Sequence, residues 1–312
     1  MANILTLTLN PALDLTVELP GIHLGQVNRS EGLHSHAAGK GVNVAQVLAD
    51  LGHTLTVSGF LGSGNQQPFV TLFQQRGFVD EFIRVPGETR TNVKLAERDG
   101  RVTDLNGPGA FVDDDAQAAL MARLEQIAGG FDAVVVAGSL PRGVSVAWLQ
   151  ALLERLVAMG LRVALDTSGA ALRAGLATQP WLIKPNTDEL TEVMGTPVVT
   201  LPEQAAVARQ LHARGIEHVV ISQGALGVNW FSPGSAWQAL PPTVAVASTV
   251  GAGDSLLAGV LHGLLGDQSA ESSLRTATAI AAMAVSQIGF GIRDREELVR
   301  LESGVSVRAL AE

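Results

Sequence analysis

The 312-residue sequence predicts an α/β fold in which a mostly parallel central sheet is wound on both faces by helices. From Phe131 onward, short runs rich in β-branched apolar residues alternate with longer stretches of helical periodicity. Runs such as Val134–Val136 and Val219–Ile221 have no polar face, as strands covered by helices on both sides require. The chain is 46% hydrophobic and 16% charged, enough apolar material to bury a large core.

In chain order, Leu13–Leu19, Glu81–Val85, Thr91–Glu97 and Arg101–Leu105 alternate apolar with polar residues, the pattern of half-exposed strands. Helical patterns at Val42–Leu51 and Pro68–Arg76 and an apolar strand at Thr54–Phe60 lie between them. The economical arrangement is one domain over residues 1–312, an α/β body carrying a small β-sheet lid made by two excursions at about 12–37 and 88–110. The body continues as strand Ala133–Ala137, helix Ser145–Met159, strand Arg162–Asp166, helix Gly169–Ala177, and strands Trp181–Lys184 and His218–Ser222. Arg293–Glu312 reads as a helix followed by an ordinary tail.

Charge and composition exclude several classes. With 21 basic and 30 acidic side chains, the net charge of -9 argues against nucleic acid or an anionic membrane as a partner, since both need a broad basic surface. An anionic substrate must then be held by a few placed cations and backbone amides. The absence of cysteine rules out disulfides, thiolate metal sites and a cysteine nucleophile, and fits a cytoplasmic location. Met1–Pro20 lacks the basic start of a signal peptide, and runs such as Leu256–Leu265 are too short to span a bilayer. Among seven histidines, only His34 and His36 are closely spaced, which offers at most two metal ligands.

Two glycine runs carry the chemistry. In Ser248-Thr-Val-Gly-Ala-Gly-Asp-Ser255, small residues open an apolar helix reaching Leu265. The amides of Gly251, Ala252, Gly253 and Asp254 would face one point at the positive end of the helix dipole, a seat for a phosphoryl group. Asp254 beside that seat suits a base that accepts a hydroxyl proton as the new bond to phosphorus forms. Taken alone, an Asp after a flexible turn is more often a plain helix start. The second run, Ala37-Ala-Gly-Lys-Gly-Val-Asn43, opens another helix with Lys40 and Asn43 in its first turn. It is not a Walker A loop, because Gly41 follows Lys40 where Ser or Thr is required. Nor is Gly251-Ala-Gly253 a dinucleotide fingerprint, since Leu256 stands where a small residue is needed.

Together these runs resemble the two signature regions of the ribokinase-like carbohydrate kinases, which include the phosphofructokinase B group. Asn10-Pro-Ala-Leu-Asp14, Thr89-Arg-Thr-Asn92, Gly138-Ser-Leu-Pro141, Lys184-Pro-Asn-Thr-Asp-Glu189 and Ser222-Gln-Gly-Ala-Leu-Gly227 extend the resemblance over nearly the whole chain. It implies a three-layer αβα sandwich with a β-sheet lid, a kinase reaction, ATP and Mg2+ as cofactors and, in many relatives, a monovalent cation such as K+. It also implies Asp254 as catalytic base, the amides of Gly251, Ala252 and Gly253 as anion hole, and Asn186 with Glu189 organising Mg2+ through water. Lys184, Ser222, Gly224 and Gly227 fall on the nucleotide side, while Asp14, Gly39, Asn43 and, more weakly, Ser139 fall on the sugar side. By itself the Asn186–Glu189 spacing also makes a capping box, and a lone Asp14 would be a turn residue.

On a strand, Arg90, Asn92 and Lys94 project from one face. With Lys40 they suit an acceptor that already carries a phosphate, Arg90 by bidentate contact. The wording of Ala37–Asn43 and of Thr89–Lys94 is most similar to bacterial 1-phosphofructokinases, implying phosphorylation of fructose 1-phosphate at the C6 hydroxyl. Tagatose-6-phosphate kinases and minor 6-phosphofructokinases are the neighbouring alternatives. A sugar-phosphate or nucleotide sensor without catalysis is the alternative of another class, against which the intact Asp254, Asn186 and Glu189 argue. The lid points to a homodimer.

Overall fold

The computed structural model describes residues 1–287 and 289–310. Its main sheet runs, from one edge to the other, through Val79–Val85, Thr54–Gly62, Asn3–Thr8, Ala133–Ala137, Val163–Asp166, Leu182–Ile183, His218–Ser222, Val228–Ser232, Ser235–Leu240 and Ser306–Ala309. Pairing is parallel as far as His218–Ser222 and antiparallel from there to the last edge. The half-exposed strand expected at Glu81–Val85 is thus an outer edge of this sheet, where one-sided burial follows from position.

The parallel strands sort their side chains by the two-residue period of the pleat. Ile4, Val57, Val135, Ala164 and Val220 enter one core with helices Lys40–Asp50, Gln67–Arg76, Ala252–Leu265 and Ala270–Ser286. Leu5, Leu7, Val134, Val136, Leu165 and Ile221 enter a second core on the opposite face with helices Asp114–Ile127, Val146–Ala158, Gly169–Ala177 and Leu201–His212. Two cores separated by one sheet make the three-layer sandwich that the apolar runs implied.

A separate sheet, in the order Gly32–Ala38, Ala12–Leu19, Arg90–Glu97, Val102–Asn106, comes from two excursions of the chain. Its register sets Asp14 opposite both Asn92 and His36, so these side chains share one face. The opposite face carries Leu13, Leu15, Val17, Val93 and Leu95, with Leu33 and Leu105 exposed beside them.

The C-terminal reading needs correction. Helix Arg295–Gly304 is present, but the residues after it form strand Ser306–Ala309, which pairs with Trp237–Leu240 instead of trailing as a tail. The signal was too short to read, because its pairing partner lies 66 to 72 residues earlier. Ala311 and Glu312, the last part of the expected tail, lie outside the described residues.

Two close approaches fix the helix that starts at Ala252. A Cβ on Gly259 would lie 2.4 Å from the Cα of Ala277, so the helices at 252–265 and 270–286 meet almost backbone to backbone. At the far end, the Ala2 amide donates to His53 Nδ1 at 3.2 Å, which puts the His53 proton on Nε2, facing His262 Nδ1 at 2.9 Å. Both rings are therefore neutral. Burial, followed by the neighbouring His262 and the N-terminal amine, lowers His53 from the ordinary 6.5 to about 4. Because the unfolded chain takes up this proton first, the pair's contribution to stability is present above pH 6.5 and is lost as pH falls toward 4. Gly259→Ala is expected to destabilise the protein by about 1–3 kcal/mol through overpacking, read as a lower urea midpoint with an unchanged slope. An unaltered midpoint would mean that the helices separate freely.

Candidate active site

Helix 252–265 begins at Gly251, whose φ of 79° is left-handed and whose missing Cβ leaves room for the Phe290 ring, 2.6 Å from where that atom would lie. The Ser255 amide bonds back to the Gly251 carbonyl at 2.8 Å, closing the first turn. The amides of Ala252, Gly253 and Asp254 precede that bond and have no intrahelical acceptor. No side chain caps them. They present three donors at the positive end of an apolar helix.

Asp254, in that first turn, is buried, with 5% of its surface exposed. Asn43 Nδ2 donates to its Oδ2 at 2.8 Å, joining the two glycine-opened helices across 211 positions of sequence. The helix of Asn43 starts at Gly39, with φ 132°, where a Cβ would stand 2.6 Å from Thr8. At Gly41 a Cβ would come within 2.9 Å of the Leu7 carbonyl oxygen. Glycine at these positions lets the helix N-terminus sit directly on the end of the first strand.

Asp166, at the end of strand Val163–Asp166, completes the cluster. Lys40 Nζ lies 3.2 Å from its Oδ1 and Lys184 Nζ 3.4 Å from its Oδ2. Lys184 also stands over the anion seat, 3.2 Å from where a Gly253 Cβ would be. Sequence reasoning missed Asp166, although a carboxylate at the carboxyl end of a parallel strand is where open α/β sheets place ligands.

Electrostatics follow from this packing. Burial first, then the Asp166 charge, raises Asp254 from 3.8 to about 6, while Lys40, the Asn43 hydrogen bond and Lys184 pull it back. Burial opposes the charge on Lys40, but Asp166, Asp254 and Glu189 outweigh it and hold that ammonium above its usual range. The result is a carboxylate ionised at neutral pH and still basic enough to take a proton.

The remaining expected residues fall on two sides. Asn186 caps helix Thr187–Met194 by accepting from the Glu189 amide at 2.8 Å, and Glu189 Oε2 accepts from the Asn186 amide at 2.9 Å. One oxygen of each serves the cap, leaving Glu189 Oε1 and the Asn186 Nδ2 group outside it. Ser222 bridges to Asn186 and ends its strand. Gly224 and Gly227 bound a tight turn, with φ of 58° and 96°, and a Cβ on Gly227 would strike the Ala239 carbonyl oxygen at 2.1 Å.

On the other side, Asn92 Nδ2 donates to Asp14 Oδ1 at 3.0 Å. Lys94 stands 3.9 Å from Asp14 Oδ2 and 3.4 Å from Asp104 Oδ1. Arg90 donates to the carbonyls of Asn10, Pro11 and Gly107, at 3.1, 3.4 and 3.3 Å, tying the root of the separate sheet. Ser139 Oγ accepts from Asn10 Nδ2 at 3.1 Å. Both cations therefore have structural partners beyond the open presentation that strand alternation suggested. Among the described residues, no group of three or more His, Asp or Glu side chains is arranged to hold a metal ion. Glu189 Oε1, left outside the cap, and Asp166, which with Glu189 acts on Lys40, are oxygen groups suited to Mg2+ held through water and phosphate oxygens, the mode that ion favours.

A buried carboxylate at an uncapped helix N-terminus on a three-layer sandwich is an arrangement suited to phosphoryl transfer. Residues 7–296 match the model of the pfkB family of carbohydrate kinases. The chain is 46% identical over 307 residues to the 1-phosphofructokinase of Vibrio cholerae, spanning 98% of this chain and 97% of that protein. It is 45% identical over 303 residues to the 1-phosphofructokinase of Escherichia coli strain K12, spanning 97% of each. A crystal structure of phosphofructokinase-2 from Escherichia coli in complex with potassium aligns with a TM-score of 0.88 at 27% identity, over 97% of this chain and 99% of that one. The chain belongs to the pfkB family of carbohydrate kinases.

Two variants test the site. Asp254→Asn should lower kcat by about 10²–10⁴-fold. Its melting temperature at pH 8 should be no lower than that of the wild type, because ionised Asp254 is costly to bury and the pKa is raised. In the wild type, kcat should rise with pH through an apparent value near 6. Lys40→Met removes a charge that favours the carboxylate, so its acidic limb should move to higher pH, and an unmoved limb would detach Lys40 from the base.

Proposed function

We propose that this chain transfers the γ-phosphoryl group of ATP to the C6 hydroxyl of fructose 1-phosphate, giving fructose 1,6-bisphosphate and ADP. The observation that carries the mechanism is the Asp254–Asn43 contact at the uncapped start of helix 252–265. Asp254 takes the hydroxyl proton as the oxygen attacks phosphorus, and Asn43 fixes which carboxylate oxygen faces the sugar. The amides of Ala252, Gly253 and Asp254 receive the charge on the transferring group, with Lys184 beside them. Lys40 lies between the two carboxylates and limits the rise in the pKa of Asp254.

Mg2+ bound with ATP would neutralise phosphate charge, organised through water by Asn186 and Glu189, with Asp166 as a further carboxylate near Lys40. Ser222, Gly224 and Gly227 belong to the nucleotide side, and K+ is carried as a further cofactor because a family relative has been crystallised with potassium. Asp14, Gly39, Asn92 and Ser139 belong to the sugar side. Arg90 and Lys94 contribute positive potential to the sugar phosphate from positions fixed by their other partners.

The separate sheet acts in this reading as a lid over one domain, its Asp14 face toward the substrate. Its apolar face, with Leu33 61% and Leu105 56% exposed, supports a homodimer formed lid to lid. Among the described residues no helix is long and apolar enough to cross a membrane.

Specificity for fructose 1-phosphate over the two 6-phosphates rests on the similarity to 1-phosphofructokinases, at 45–46% identity, against 27% for phosphofructokinase-2. A coupled ADP-release assay on fructose 1-phosphate, fructose 6-phosphate and tagatose 6-phosphate decides it. The expected kcat/KM ratio in favour of fructose 1-phosphate is about tenfold or more, equivalent to roughly 1.4 kcal/mol of transition-state discrimination. Preference for either 6-phosphate would reassign the substrate, and ligand binding without turnover would favour the sensor.

A further inference from the structure

A cavity of about 450 Å³ lies beside the separate sheet, and none of its lining residues is one assigned above to the reaction. Its walls come from lid strand Gly32–Ala38, helix Lys40–Asp50, helix Gln67–Arg76 and the segment 289–293. The size falls within the range of small-molecule sites. Its chemistry is one-sided.

Among the described residues no carboxylate lines the cavity, although the chain as a whole carries a charge of -9. Arg293 stands at its mouth, exposed, with its guanidinium folded over Gly289, where a Cβ would be 2.4 Å away. Among the described residues Arg293 has no carboxylate partner within ion-pair distance. Asp50, which lies near Gly291, is taken by Arg76 at 2.6 Å and by the Ile292 amide at 2.7 Å. A cation at the mouth of a cavity without acids favours an anionic guest.

Two buried atoms of the lining have hydrogen-bonding capacity and no partner among the described residues. Gln46 is only 9% exposed, and its Nε2 is buried without a partner among the described residues. His36 Nε2 is likewise buried and unpartnered. Burial, followed by the charges of His34 and Arg293, holds the His36 ring below its usual pKa. Gln67, Thr71 and Gln75, four residues apart, form an exposed polar stripe along one helix face bordering the same space, where Gln67 Nε2 donates to Thr71 Oγ1 at 3.3 Å. A buried amide left without a partner is unfavourable, so a guest bearing hydroxyls satisfies groups that the protein leaves open.

We propose that this cavity binds a small phosphorylated polyol, with its phosphate at Arg293 and its hydroxyls on Gln46, His36 and the stripe of Gln67, Thr71 and Gln75. The site touches two parts of the catalytic apparatus. Phe290, in its wall, packs on Gly251 at the start of the anion seat, and His36 shares a lid face with Asp14.

Calorimetric titration of the full chain with inorganic phosphate, glycerol 3-phosphate and glycerol tests the proposal. The substrate site is first filled with a non-hydrolysable ATP analogue and fructose 1-phosphate. One saturable site for glycerol 3-phosphate is expected, tighter than for phosphate alone, with no binding of glycerol. Arg293→Gln should weaken it about tenfold, the usual scale for losing one charge-assisted hydrogen bond. Thr71→Asp, at an exposed helix position that tolerates substitution, should weaken it at least as much by placing a carboxylate in the cavity. Absence of saturable binding once the substrate site is filled, or unchanged affinity in both variants, overturns the proposal. No advantage of glycerol 3-phosphate over phosphate removes the polyol. Both variants keep the ADP-release activity with fructose 1-phosphate, so failure here is separable from failure of the kinase reading.

Discussion

A single buried carboxylate sets the terms for the structure around it. Asp254 can remain ionised with 5% of its surface exposed only because an amide, two ammonium groups and a helix N-terminus converge on it. Each of these is delivered by a different element: Asn43 and Lys40 by one helix, Lys184 by the end of a short strand, the amides by the helix of Asp254 itself. The nearby Asp166 works in the opposite sense and raises the basicity of its neighbour while anchoring both lysines. A base strong enough to be useful and still ionised at neutral pH comes from that balance, and removing either sign would upset it.

Much of this was legible in the amino-acid order, for physical reasons that differ by element. The parallel strands at Ala133–Ala137 and His218–Ser222 declare themselves because burial on both faces leaves no room for polar residues. The small sheet is legible from alternation at Leu13–Leu19 and Thr91–Glu97, since each strand has one dry face. Asp254 and Asn43 could be singled out from their glycine-opened helices, but their contact across 211 positions could not be read from local pattern. Asp166 was seen as the end of a strand and not as part of the site, since one Asp after Val163-Ala-Leu165 has no local signature of its charge partners. The partners of Arg90 and Lys94 were equally invisible: strand alternation gives the face, whereas the carbonyls of Asn10, Pro11 and Gly107 are supplied by other segments.

The catalytic helix is held at both ends by unlike means. Its N-terminus is positioned by glycine contacts and charge, and its C-terminal turn by the neutral pair of His262 and His53. Between them, Gly259 lets the neighbouring helix approach to backbone distance.

Strand Gly32–Ala38 of the small sheet is separated from helix Lys40–Asp50 by Gly39 alone. In the proposed reading, the surface over the sugar and the helix that holds the base are therefore joined through a one-residue pivot. Any displacement of this strand would act directly on Lys40 and Asn43, with no slack loop to absorb it. If the sheet is the lid proposed above, this geometry would tie the readiness of the base to the presence of the guest, and so keep the nucleotide from being spent on water.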